Sequence, residues 1–338
     1  MPPIGSTIAT TALVIVVYFS IVRLIDMNEK EPLWAMFLLF VMGAAAGVVL
    51  PLVVSPGVLD LTVLPGASLR ETARFAAVAA GIGLLFLYGQ WRGWQEFNGT
   101  MDGIVYGACA GLGFAVALQV RADVLFGSVA LAGQPAGLFS GFGTMALRGL
   151  SDGVFGAILG ASIGAATEAR AAVARVLLPV AGLVVAIAAD AGYVHFAYGN
   201  ALAGDSGWIR HQAALVLPLL LVVVVAFFAL RSERRAIREQ LPSEIEGGAV
   251  DADDIVVLEN VARRTAMHLR ELARGRVGRW MRLRELHNRQ VQLALIKARV
   301  AAESEISRRS RLEQEAAHLR QDVLARRRAL ASVQEVAR

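Results

Sequence analysis

Between residues 8 and 230 the apolar positions come in long unbroken runs rather than at the three-and-four spacing of a half-buried helix. A helical run of about 18 or more apolar residues is long enough to cross the ~30 Å hydrocarbon core of a bilayer. Seven spans are therefore predicted, at 8–25, 33–54, 72–90, 103–120, 150–166, 172–197 and 212–230. The segment 124–147 is also apolar but carries Gly127, Gly133, Pro135, Gly137, Gly141 and Gly143, which suits an eighth short span or a re-entrant loop. Backbone that leaves the helix at membrane depth has to be covered by protein or face water. Beyond Leu230 the pattern changes. Residues 231–250, with Pro242, Gly247 and Gly248, read as a linker, and 251–338 as two or three charged helices. From Leu312 the steps Leu312, Ala316, Leu319, Val323, Arg326, Leu330 and Val333 have heptad spacing with one arginine in the seam. Such a seam serves either an intermolecular coiled coil or a helix folded back on its neighbour. The predicted class is all-α: a polytopic transmembrane bundle over 1–230 and a helical tail over 251–338.

Composition and charge sharpen this division. Of 338 residues 56% are hydrophobic, and the mean hydropathy is +0.55. Residues 1–230 hold 10 Lys/Arg and 12 Asp/Glu, whereas 231–338 hold 23 and 16, so the tail is basic and the bundle slightly acidic. Basic residues favour the cytoplasmic ends of spans. With seven spans and the tail inside, Arg23, Lys30, Arg92, Arg170, Arg175 and the dense Arg231, Arg234, Arg235 and Arg238 lie on the inner side, against Arg70, Arg74, Arg121, Arg148 and Arg210 outside. The chain is thus expected in the cytoplasmic (inner) membrane with a cytoplasmic tail. The first seven residues lack the basic start of a signal peptide, so the first run is read as an uncleaved span. The single cysteine, Cys109, excludes an intramolecular disulfide. Arginine-rich usage, with only Lys30 and Lys297 as lysines, suits a bacterium with GC-rich DNA.

Glycine is concentrated in two spans, Gly107, Gly111 and Gly113 in the fourth and Gly156, Gly160 and Gly164 in the fifth, the latter at a strict spacing of four. Small residues at that spacing let helix backbones approach closely in lipid. Both spans open on Asp-Gly, Asp102-Gly103 and Asp152-Gly153. An aspartate just before an apolar run caps free N–H groups and meets the positive end of the helix dipole; an intramembrane acid also marks chemistry. Asp123, Asp190 and His195 complete the ionisable candidates in the spans, with Glu31 and Glu96 in loops. Asp190 and His195, five positions apart, point about 140° from one another on a helix and share no face. No phosphate loop, H-E-x-x-H or G-x-S-x-G is present.

One stretch is more specific. Phe97-Asn98-Gly99-Thr100-Met101-Asp102-Gly103-Ile104-Val105-Tyr106-Gly107 leads into Gly111-Leu112-Gly113-Phe114-Ala115, with Glu31-Pro32 ahead of an earlier span. This resembles the PrsW family of bacterial intramembrane proteases, whose D-G-x-x-Y-G…G-x-G-F-A signature follows a span bearing paired glutamates. The resemblance covers about 20–230 and makes Glu31, Pro32, Asp102, Gly103, Tyr106, Gly107, Gly111, Gly113 and Phe114 its signature positions. It implies a glutamate pair, with a basic residue three positions later, about two dozen residues before the Asp-Gly. That place falls near Val78–Gly83, and Ala76 to Leu87 holds no ionisable side chain. Where the family has Glu-Asn this chain has Leu118-Gln119, and Asp152 falls where the family has a histidine. A final family histidine corresponds to His195.

Peptide hydrolysis needs a group to activate water and another to protonate the leaving amine, or a metal. Alanine and glycine supply neither. The expected function is a catalytically degenerate protease-like protein, a scaffold or subunit that binds transmembrane partners and docks others through its tail, without metal or cofactor. The alternatives are an active intramembrane protease working through Asp152, Asp190 and His195, and a transporter or channel component. Between Arg263 and Arg289 lie nine arginines and two glutamates. Arg263, Arg264, Arg274, Arg276, Arg279, Arg282 and Arg284 are accordingly expected to meet anionic lipid headgroups. Nucleic acid is disfavoured, because Trp280 is the only aromatic platform there. The expected partners are the bilayer, other membrane proteins and, through the tail helices, a homo- or hetero-oligomer.

Overall fold

The computed structural model describes residues 4–25, 31–54, 63–92, 97, 99–126, 138–169, 171–201, 213–303 and 306–336. Among these residues there is no strand, and the chain is all-α. It divides into two compact units, one built on Met1–Asp26 and Glu31–Phe227, the other on Phe228–Arg338.

The first unit contains α1 (Ile4–Ile25), α2 (Leu33–Val53), α3 (Val63–Arg92), α4 (Thr100–Phe126), α5 (Leu138–Glu168), α6 (Ala172–Ala201) and the start of α7 (Val216–Gln240). Six of them, α2 to α7, are long and apolar enough to cross a membrane. The 22 residues of α1, with a shorter apolar stretch at Thr11–Arg23, rise about 33 Å at 1.5 Å per residue. The chain is a multi-pass membrane protein.

Three boundaries differ from expectation. Helix α3 begins at Val63, nine residues before the predicted 72, because Pro65 sits in its first turn, where a missing N–H costs nothing. Arg70 and Glu71, which lay before the predicted span, and Arg74, in its first turn, are therefore well inside the helix, and all three are buried. Helix α5 begins at Leu138, well before 150. The two ends of segment 124–147 thus belong to α4 and α5, which removes it as an independent span, and 127–137 lie outside the described residues. Helix α7 runs on to Gln240, so the first ten residues read as a linker are helical.

Helix α4 is the axis of the bundle. On one side Gly103, Gly107 and Gly111 meet the backbone carbonyls of Gly160, Gly156 and Asp152, and Gly164 meets that of Gly99. The numbers fall on one helix as they rise on the other, so α4 and α5 run antiparallel. The stripe on α4 is Gly99, Gly103, Gly107 and Gly111, spaced by four throughout, while Gly113 faces Phe40 of α2. On that second side Gly43 and Gly47 of α2 meet Ala110 and Phe114. Backbone-to-backbone contact on two sides supplies the van der Waals packing that replaces a hydrophobic drive in lipid. By contrast α6 and α7 are largely exposed, with Val173, Val176, Leu177, Val180 and Val184 lining an outward face of α6.

The second unit holds the end of α7, a 3₁₀ turn (Leu241–Glu244), α8 (Ala252–Glu259), α9 (Val261–Ala273), α10 (Val277–Ala302) and α11 (Ile306–Val336). Ile237, Leu241, Val250, Leu258, Leu286, Val291, Ala294 and Val323 form its core. The heptad seam of α11 lies against α10 within the chain, Ala316 and Leu319 packing on Leu293, Ile296 and Val300. Arg326 in that seam pairs with Asp322 at 3.0 Å and Glu285 at 2.7 Å. Buried Glu244 binds Lys297 at 2.5 Å and both nitrogens of the Arg320 fork, at 2.5 and 2.6 Å. Gly275 turns the chain from α9 into α10 at φ 70°, a conformation that costs glycine nothing.

Between α9 and α10, His268 Nε2 and His287 Nδ1 share a hydrogen bond of 3.1 Å. Burial, together with His268 and Arg264, pushes the His287 pKa down to about 3. A histidine depressed in the folded state stabilises the fold above its unfolded pKa, about 6.5, and that contribution is lost progressively as pH falls towards 3. Hydrogen-exchange protection of α9 and α10, corrected for intrinsic exchange, is expected to fall between pH 6.5 and pH 4, and His287→Gln to flatten that dependence. Equal slopes in the two proteins would remove the assignment to His287.

Candidate functional site

The buried polar groups of the membrane unit fall into two layers. The lower one gathers the signature residues. Pro32 opens α2 with an extended backbone, and its carbonyl accepts from Ala35 at 3.0 Å and Met36 at 3.2 Å. That turn holds Glu31 in the interior, where its carboxylate accepts from the Tyr106 hydroxyl and its carbonyl accepts from Arg23 at 3.3 Å. The Tyr106 ring stacks on Phe97 with centroids 6.0 Å apart. Asp102 is buried in the first turn of α4, at the positive end of the helix dipole. The backbone N–H of Thr100 is capped by Glu168 of α5, at 2.7 Å.

The upper layer is ionic and was missed by sequence reasoning. Phe114 lies eight residues beyond Tyr106, about 12 Å along α4. Its ring carries the guanidinium of Arg74 at 4.6 Å, and Phe155 lies on the same cation at 5.6 Å. Arg74 donates to Glu71, one turn earlier on α3, and at 2.6 Å to Asp152 of α5. One turn before Arg74, Arg70 Nε donates to Asp190 of α6 at 2.9 Å. All five residues are at most 8% exposed. Asp152 lies opposite Gly111, midway along the α4 span Thr100–Arg121, so the cluster sits near mid-bundle.

This arrangement corrects the capping role expected of Asp152, which is fourteen residues inside α5 and paired with an arginine. Asp152 and Asp190 are drawn together through α3. His195 is exposed on α6 and does not join them. The side chain of Asp123 and residues Glu96 and Asn98 lie outside the described residues. A signal for the cluster did exist: Arg70-Glu71-Thr72-Ala73-Arg74 places a basic residue three positions after a single glutamate, part of the paired-glutamate pattern that the resemblance implies near Val78.

A buried cluster of this kind in a polytopic helical bundle defines a membrane protein built around an intramembrane polar site. The sequence profile described as PrsW family intramembrane metalloprotease matches residues 31–230, and the chain belongs to that family. No curated protein and no solved structure matches it.

The family description implies a metal. A zinc centre in an enzyme takes three nitrogen, oxygen or sulfur ligands from the protein and keeps a further position open. Among the described residues no three His, Cys, Asp or Glu side chains come together in that way. Glu71, Asp152 and Asp190 each already meet a guanidinium through one carboxylate oxygen, and two fixed positive charges oppose a third. The residues of this cluster do not fit a resident metal.

Proposed function

We propose that this is a protease-like membrane protein without the family's chemistry, acting as a scaffold or subunit that holds a partner's transmembrane segment and docks others through its C-terminal helices. It would reside in the cytoplasmic membrane with the C-terminal unit in the cytoplasm. The observation that supports this reading is Arg74, wedged between Glu71 and Asp152 at 1% exposure. A guanidinium stays protonated at every physiological pH and has no lone pair, so it neither relays a proton nor binds a cation. It occupies one oxygen of each acid, Glu71 Oε1 and Asp152 Oδ1, and sets a fixed positive charge beside the place that water or a metal would take.

A second reading, an active peptidase working through these same acids, draws on Glu71 Oε2 and Asp152 Oδ2, which are buried and have no hydrogen-bond partner within the protein. The transport reading has less support, since α4 and α5 are closed against each other by backbone contact.

Purified protein in lipid nanodiscs, incubated with single-span substrates, is expected to show no cleavage above that of a Glu71→Gln, Asp152→Asn variant. Its zinc content is expected to stay well below one equivalent. Cleavage lost in that variant, or stoichiometric metal lost with it, would establish the active reading instead.

A further inference from the structure

Helix α9 is built inside out. Its inward side carries Arg264 at 3% exposure and Glu271 at 7%, with His268 bonded to His287 beside them. Its apolar side faces away, with Leu269 57% and Leu272 41% exposed. With positions 100° apart around a helix, Ala262, Thr265, Leu269, Leu272 and Ala273 make one outward stripe, flanked by Arg263 and Arg270. Past the Gly275 turn α10 exposes further apolar residues, Val277 at 46% and Met281 at 54%, and Trp280 packs under Arg284 at 5.6 Å. Leucines exposed on a helix that buries its own arginine and glutamate reverse the normal order of burial. Glu271 reaches Arg274 at 3.4 Å and Arg279 at 3.4 Å.

We infer that the α9–α10 hairpin is an interfacial membrane anchor: Leu269, Leu272, Val277 and Met281 enter the headgroup–acyl boundary of an anionic leaflet while Arg263, Arg270, Arg276 and Arg282 bind its phosphates. The chemistry is that of an in-plane amphipathic helix, with apolar residues on one face and arginines at its edge. Arg264, expected at the headgroups from sequence, is excluded by its burial. Charge selects lipid over a second copy of the chain. The stretch 263–289 carries nine arginines and two glutamates, so apposing two such faces brings like charge against like, whereas an anionic surface complements them at every position. The rest of the chain already spans a bilayer, so the hairpin needs only weak affinity once tethered to one.

The test uses the full chain in nanodiscs, carrying an environment-sensitive fluorophore at Leu272→Cys or, separately, Met281→Cys, with Ala317→Cys on exposed α11 as control. In discs containing phosphatidylglycerol, emission at 272 and 281 is expected to shift to the blue and be quenched by nitroxide-labelled lipid, while 317 stays water-like. High salt, or discs of phosphatidylcholine alone, should reverse both effects. Replacing Arg263, Arg270 and Arg282 together by glutamine should lower the docked-to-undocked ratio by roughly 100-fold. Labels at 272 and 281 that remain water-like in anionic discs would overturn the inference. So would protection that is equal in neutral discs and indifferent to salt, which would mean that protein covers this face.

Discussion

Arg74→Ala is expected to destabilise the membrane unit by about 3–5 kcal/mol, the cost of leaving buried carboxylates without their counter-charge. Arg74 is 1% exposed and serves Glu71 and Asp152 at once, so its removal strands two acids in a low-dielectric interior. It also empties the space between the Phe114 and Phe155 rings, which are 4.6 and 5.6 Å from the guanidinium. Arg74→Lys keeps the charge, but a single ammonium lacks the fork that reaches two carboxylates and the plane that lies on two rings. That variant should fall between alanine and arginine. The triple variant Glu71→Gln, Arg74→Met, Asp152→Asn should recover most of the loss, because a neutral, well-packed replacement is often no worse than a buried ion network. Unfolding in mixed micelles of rising SDS fraction measures all four proteins. If Arg74→Ala changes stability by less than about 1 kcal/mol, the cluster is hydrated or open and does not lock α3 to α5.

Gly107→Ala should be nearly as damaging for a different reason. A Cβ at 107 would fall within 3.0 Å of the Gly156 carbonyl, and its neighbour Gly160 Cα is 3.0 Å away. Backbone cannot rotate aside as a side chain can, so α4 and α5 have to separate and lose contact along the whole stripe from 99 to 111. Overpacking of this kind costs about 1–3 kcal/mol, and a matching loss is expected for Gly160→Ala. Gly83→Ala on α3 is the control, since nothing lies within 4 Å of its added Cβ. There the substitution should be neutral or stabilising by about 0.5–1 kcal/mol, because alanine restricts the unfolded chain and favours the helix. The same SDS titration reads these variants. Equal behaviour of Gly107→Ala and Gly83→Ala would show that the two helices are not in backbone contact.

Much of the membrane unit was legible before any coordinates. Runs of apolar residues have no soluble explanation at this length, so the helices, their order and the family signature could be read directly. The glycine stripe of α5 was equally plain, because a spacing of four is a property of one helix. Its partner stripe was only half visible: Gly113 was grouped with Gly107 and Gly111, although it serves the opposite side of α4, facing Phe40. The ionic layer was not found. Span prediction stops at charges, since each alone is costly in lipid, so Arg70 was left before the predicted span and Arg74 at its outer end. Their cost is offset by Asp190 and Asp152, 120 and 78 positions away. A sequence displays the charge but not its distant partner.

The sequence by itself determined that this chain spans a membrane in several helices, that its last hundred or so residues form a separate basic helical region, and which residues carry the family signature. Those are consequences of local composition and period, which hydrocarbon and water enforce on any chain. Which face of α9 turns inward, which acids share an arginine, and which glycines touch were decided only by the tertiary structure. Each of these depends on pairing between positions far apart in the chain, and pairwise burial of charge or backbone has no local signature.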